Sequence, residues 1–278
     1  RSRFFTIPEG SFFDSIPRVI RASTAIIVGA SFIIGTSLLA IGTVPRDALS
    51  GAVSAVTTGL VDPMSHGQPP GQGSFQVVIL SIGLVIGTLG LVVLDNVGEG
   101  KIIRAFRDPE ALAFVGSMAG IALLAFMAGI PLLQAGGWAL SSVSTSGMAL
   151  SDPARFDRLP LVLVLFPVLI GGSALSAAGG IKLARLVVLS KRVALEFSQL
   201  GYRGSVQTFT FRGKRQSEKT VMGVWVYLVG YIMAAVAGIL ILSVGGLAFD
   251  DSILAAIGAL SNSGHLIASM LDSLTAYA

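Results

Sequence analysis

The sequence predicts an all-α integral membrane protein assembled from repeated span–pore-helix–span units, and three observations predict it. Of 278 residues, 53% are hydrophobic and 12% charged, with a mean hydropathy of +0.81, a composition outside the range of soluble domains. Several apolar runs reach the roughly 20 residues that a helix needs to cross the hydrocarbon core. Three shorter segments, AVSAVTTGL, ALSSVSTSGM and AIGALSNSGH, align without gaps on Gly59, Gly147 and Gly264. Each follows an apolar run and precedes a polar loop, and such recurrence is the signature of a repeat architecture.

The elements follow in order. Arg1, Arg3, Arg18 and Arg21 mark an interface, and a first span runs over about 19–43. Pro45 suits the first position of a new helix, and Asp47 its first turn, where a carboxylate faces the positive end of the dipole. That helix is too short to cross a membrane. It ends at Thr57, Thr58 and Gly59 and gives way to LVDPMSHGQPPGQGS, whose prolines and glycines exclude regular structure. A second span covers 75–94, after which Asp95, Glu99, Lys101, Arg104 and Arg107 return the chain to a polar surface.

The same parts recur as a span over 110–133, a short helix over 138–143, the turn Ser144, Thr145, Ser146 and Gly147, and a span over 159–189. A third copy has a span over 220–242, the pair Asp250 and Asp251, a short helix, and the turn Ser261, Asn262, Ser263 and Gly264. The chain thus divides into a pore repeat with its cytoplasmic lead-in (1–107), a pore repeat with a broken second span and a cytoplasmic linker (108–218), and an incomplete repeat (219–278). It opens on Arg1 without a signal-peptide pattern, and its third unit stops before a second span. The expectation is a piece of a longer chain.

Charge and composition narrow the function. Absence of cysteine removes disulfides, thiolate metal sites and cysteine nucleophiles. A pI near 9.7 would suit nucleic acid, but the basic residues sit at the ends of apolar spans, so membrane topology explains them and no nucleic-acid partner is expected. If the three turns face one side, that side holds Arg46, Arg155 and Arg158 against seven aspartates, and the other holds sixteen basic and eight acidic residues. The positive-inside rule then puts the turns outside, and an acidic outer mouth concentrates cations.

The centre of the chain is the stretch 139–185. Its hydroxyl-glycine turn lets backbone carbonyls face outward. Its apolar span is interrupted by Gly171, Gly172, Gly179 and Gly180, with Ser173 and Ser176 between them. Irregular backbone at membrane depth survives only beside a water-filled path or buried in protein. A short helix that enters the membrane and stops there points its partly negative C-terminus at the interior, where it favours a cation. Four such ends around an axis, as in K+-channel-like pore proteins, can replace an alkali ion's hydration shell, and this chain supplies three. The ion-filter candidates are Thr57, Thr58, Gly59, Ser144, Thr145, Ser146, Gly147, Ser261, Asn262, Ser263 and Gly264.

At these residues the chain resembles the Trk-type potassium-uptake transporters of the Trk/Ktr/HKT superfamily, whose membrane subunit has four span–pore–span repeats. Gly59, Gly147 and Gly264 fall on that family's filter glycines of repeats two, three and four. The string IGGSALSAAGGIKLAR resembles its glycine-rich gate beneath the filter, with Lys182 and Arg185 matching its basic exit, and PEG…PRVIRA and RDPEA resemble the lead-ins to repeats two and three. The resemblance implies a multi-pass protein of the bacterial cytoplasmic (inner) membrane that moves K+ or Na+ inward through filter carbonyls, gated by the broken helix. It implies no tightly bound cofactor, no transition-metal site, a homodimer amid membrane lipid, and a peripheral cytoplasmic nucleotide-binding regulatory subunit met by Arg203, Arg212, Lys214 and Arg215. The chain departs from the family pattern at Leu60, Met148 and His265 after the glycines, and at Ser176, Ala177 and Ala178 in the gate.

Plainer readings stand beside these. Membrane glycines commonly serve helix packing, a glycine break can be a simple kink, Lys182 can snorkel to the interface, and Asp250 and Asp251 can cap a helix. His66 fits a loop, and His265 has no partner at ligand spacing. The rival function is a non-conducting scaffold or sensor. An enzyme is disfavoured, because no nucleophile–base pair or metal cluster is visible.

Overall fold

The computed structural model describes residues 12–59, 74–90, 93–94, 100–101, 103, 105, 107–148, 150, 159–174, 176–201, 210–211, 214–215 and 218–263. In chain order its helices are α1 (Phe12–Ala40), α2 (Pro45–Thr57), α3 (Ser74–Thr88), α4 (Pro109–Met127), α5 (Leu132–Val143), α6 (Leu161–Ile170), α7 (Leu183–Gly201), α8 (Glu218–Val244) and α9 (Phe249–Leu260). Among the described residues the fold is all-α apart from one antiparallel pair of two-residue strands, Thr210–Phe211 with Lys214–Arg215. Among the described residues, three helices are long and apolar enough to cross a membrane, over Ile20–Ala40, Pro109–Met127 and Val221–Val244.

Local chemistry sets the boundaries. Pro45 occupies the start of α2 and Asp47 its first turn, as the sequence implies. Asp108 caps α4 by accepting from the Glu110 N–H at 2.9 Å, and Pro109 follows at the first helical position. The span expected over 110–133 ends instead at Met127. Gly129 turns left-handed (φ 93°), the Ile130 N–H closes on the Ala125 carbonyl, and Pro131 opens α5 six residues before the expected start of the short helix. The second span also stops early, at Thr88 rather than 94, while α7 continues past 189 to Gly201.

Each short helix lies against at least one span of its own unit. Helix α2 packs on α1 and α3, α5 on α4 and α6, and α9 on α8 and α6. Small residues make the close contacts, with Gly35 of α1 against Ala52, Gly83 of α3 against Ala55, and Gly238 of α8 against Ala256. A shared core of Ile34, Leu38, Ala55, Leu84, Phe114 and Val143 joins the first two units. Leu165 and Val168 of α6 meet Ile257 of α9.

Polarity is distributed inside out. Phe32, Leu123, Met233 and Ile241 on the long helices are exposed, whereas Thr58, Ser142, Ser144, Thr145, Ser146, Ser252, Ser261 and Ser263 are buried. Large apolar side chains outside and hydroxyls within suit a lipid exterior around a polar interior. This chain is a membrane protein.

Candidate functional site

The three short helices end alike. The residue after each helix or one beyond, Thr58, Thr145 or Asn262, is left-handed, with φ of 50°, 55° and 56°. The next N–H then reaches back five residues, from Gly59 to the Ser54 carbonyl (3.2 Å), from Ser146 to Ser141 (3.2 Å) and from Ser263 to Gly258 (2.8 Å). This is the hydrogen bond of a Schellman closure. Left-handed backbone is unfavourable for β-branched threonine. Apart from glycines, the described residues with positive φ are these three and Lys182. Such strain concentrates where surrounding structure imposes it, commonly at functional sites.

These bonds fix a register that the glycines do not. Thr57, Ser144 and Ser261 correspond, as do Thr58, Thr145 and Asn262, and Gly59 then matches Ser146 and Ser263 rather than Gly147 and Gly264. Gly59 has no positive φ, and among the described residues a Cβ there would meet Thr57 at ordinary contact distance. Gly147 sits at φ 65°, where glycine is favoured. Gly264, like His66 and His265, lies outside the described residues.

Hydroxyls brace the second turn. Ser141 Oγ donates to the Met148 carbonyl at 2.6 Å, Ser144 Oγ to the Ser141 carbonyl at 2.9 Å, and the Met148 N–H donates to Ser146 Oγ at 3.2 Å. In the first turn Thr57 Oγ donates to the Val53 carbonyl at 2.7 Å. The Thr58 hydroxyl is buried and has no hydrogen-bond partner among the described residues.

Between α6 and α7 the broken span forms a loop pressed against these turns. The Ile181, Lys182 and Leu183 N–H groups donate to the carbonyls of Leu169, Ile170 and Gly172. The first amides near the start of α7 thereby satisfy the last carbonyls of α6 across the excursion, as a membrane interior demands. The loop is also pinned to α3: the Ser173 N–H donates to the Thr88 carbonyl and the Ala177 N–H to Gly87, both at 3.1 Å.

Its far side reaches two of the turns. The Gly179 N–H donates to Thr145 Oγ at 2.7 Å, and a Cβ on Gly179 would collide with the Ser261 carbonyl. Gly171 and Gly180, both with positive φ, face each other across the loop's neck. Lys182 Nζ donates to the Ser176 carbonyl at 3.2 Å and to that of Ala178. It turns inward onto the loop rather than outward, unlike the snorkelling alternative.

One contributor was not singled out from the sequence. Glu110, 2% exposed, takes hydrogen bonds on Oε2 from Ser173 Oγ and from the Ala174 N–H, the latter at 3.0 Å. The sequence placed it at the start of a span and within the RDPEA lead-in, and no local pattern marks an acidic residue for a partner 63 positions away. Arg203 and Arg212 lie outside the described residues, and Lys214 and Arg215 fall on the second short strand.

Short helices that stop inside the protein at strained hydroxyl turns, with a glycine loop folded against them, define a membrane protein of the repeated pore-helix class. Known proteins narrow the class. No family model matches the chain. The Trk system potassium uptake protein TrkH of Escherichia coli K12 is 23% identical over 208 residues, 71% of this chain and 43% of that protein. TrkG of the same organism is 28% identical over 126 residues, 45% of this chain and 26% of that protein, and an uncharacterized cation transporter of Methanocaldococcus jannaschii is 23% identical over 156 residues, 56% and 32%. The crystal structure of the potassium transporter TrkH from Vibrio parahaemolyticus superposes with a TM-score of 0.78 at 21% identity, over 93% of this chain and 62% of that one.

The chain is thus similar in sequence to Trk-type potassium uptake proteins and shares the fold of one of them, and it spans less than two thirds of the length of these relatives. They are named as transporters rather than enzymes, in line with the non-enzymatic reading of the sequence.

Proposed function

We propose that this chain forms part of a cation pathway for uptake of K+ or Na+ across a bacterial cytoplasmic membrane, with the three turns as filter and the loop over 171–182 as gate. The observation that carries the reading is the Gly179 contact: one loop amide bonds Thr145 of one turn while the same residue abuts Ser261 of another. A loop so placed lies against two of the three turns, and its displacement would free the space beside them. Helix C-termini lend the turns negative potential, and their buried hydroxyls and backbone carbonyls would supply oxygen ligands suited to an alkali ion. The naming of relatives as potassium uptake proteins supports K+ as the ion. The membrane potential would drive entry with about 2.3 kcal/mol per charge per 100 mV.

Assembly as a homodimer, with a peripheral nucleotide-binding subunit on the basic linker, follows from the Trk resemblance and belongs to this proposal. The test is rubidium and sodium uptake into liposomes by the full-length protein, comparing parent with Gly147→Ser. Potassium-competed rubidium flux, reduced or made less selective by the substitution, is the expected result. A folded parent that passes no cation, with or without a regulatory partner, would instead favour the scaffold or sensor.

A further inference from the structure

We propose that Glu110 is the latch of the gate loop, a positioning residue that ties the loop's near end to the polar segment leading into α4. This rests on the reading of that loop as a gate. Two side chains from outside the loop hold opposite ends of it. Thr145 takes the Gly179 N–H at the turn, and Glu110 takes the Ser173 hydroxyl and Ala174 N–H at the other end. The carboxyl group is suited to this, because one oxygen can accept from two adjacent donors and a charge strengthens both bonds.

Surroundings reinforce the tie. Glu110 and Ser173 are 2% and 1% exposed, so water competes poorly for their bonds. Lys182 is folded onto the same loop, where its ammonium donates to the Ser176 and Ala178 carbonyls. Ser176 Oγ donates to the Ser173 carbonyl at 2.6 Å, which makes the latched end a compact knot. Glu110 is also in the first turn of α4, and its N–H is held by the Asp108 cap. The loop, the helix start and the segment before it therefore move together. A pull on that segment, whether from a bound subunit or from a neighbouring copy, would reach the loop through one side chain.

The latch is distinguishable from a merely structural carboxyl because it opposes opening. Its loss raises flux, whereas loss of a structural group lowers it. Rubidium uptake would be measured in liposomes with the full-length protein, in parent, Glu110→Gln, Glu110→Ala and Ser173→Ala. A fourth variant with residues 174–178 replaced by two glycines tests the gate itself. The expected order of flux is Glu110→Ala above Glu110→Gln above parent, with Glu110→Ala raised by roughly tenfold, the effect of losing a charge-assisted hydrogen bond.

A second readout does not depend on transport. Ala178 is buried, and Ala178→Cys, in an otherwise cysteine-free full-length protein, should react with a water-soluble thiol reagent faster when Glu110→Gln is also present. Where Glu110→Ala fails to fold, the Glu110→Gln and Ser173→Ala variants carry the comparison. Unchanged or lower flux in folded Glu110 variants, together with unchanged thiol reactivity of the Ala178→Cys protein, overturns the latch. If the shortened loop raises flux while the Glu110 variants do not, only the latch fails; if the shortened loop raises nothing, the gate reading fails with it.

Discussion

The hydroxyl of Tyr231, buried on α8, lies 2.8 Å from that of Ser261 at the end of α9. The same tyrosine stands 6.3 Å from the ring of Tyr227, over which the Arg185 guanidinium lies at 3.6 Å from the centroid. A line of contacts therefore runs from the start of α7 to the third turn. Tyr231→Phe removes the hydroxyl link and should cost about 1 kcal/mol of stability. Ser261→Ala should cost a similar amount, and the double variant little more than either. Thermal unfolding of the purified proteins checks this, and strictly additive losses would show that the two hydroxyls do not interact.

The register set by the cap bonds separates two glycines that the sequence treats alike. Gly147→Ala forces a side chain into φ 65° and should cost about 1–2 kcal/mol. Gly59→Ala meets no such strain and should leave unfolding within about 0.5 kcal/mol of the parent. Equal losses at both positions would return the two glycines to one register.

Gly179 has no room for a methyl group, because the Ser261 carbonyl occupies that space. In Gly179→Ala the loop must shift away from the turn, weakening the bond to Thr145. Rubidium flux into liposomes should rise severalfold, and thermal stability should fall. A variant with parental flux and stability would mean that the loop and turn do not touch in the membrane.

Asp108 caps α4 two residues before Glu110. Asp108→Ala should destabilise the protein by about 1 kcal/mol, while Asp108→Asn, which still presents a capping oxygen, should lie near the parent. Comparison of the two unfolding temperatures tests the cap, since a loss shared by both variants would assign the effect to charge instead.

Much of this arrangement is legible along the chain, and the reason is that its causes are local. Hydropathy marks the spans of α1, α4 and α8, because each must bury its own backbone in lipid. Pro45 and Asp47 announce the start of α2, and the glycine pairs announce the break between α6 and α7. Hydroxyl-glycine endings mark the three turns. Element ends were less legible where a cap depends on a distant partner: Thr88 ends α3, with its carbonyl taken by the Ser173 N–H from another unit.

By itself, then, the sequence determined that this is a repeated membrane protein with three hydroxyl turns and one glycine-broken span, since those features depend on neighbours within a few residues. Tertiary structure alone decided which residues meet. Gly179 is matched to Thr145 and Ser261 by the packing of α5, α6 and α9, and Glu110 finds Ser173 only when α4 stands beside the loop. Pairings of this kind are fixed by the mutual exclusion of helices in three dimensions, a constraint that no local pattern of residues encodes.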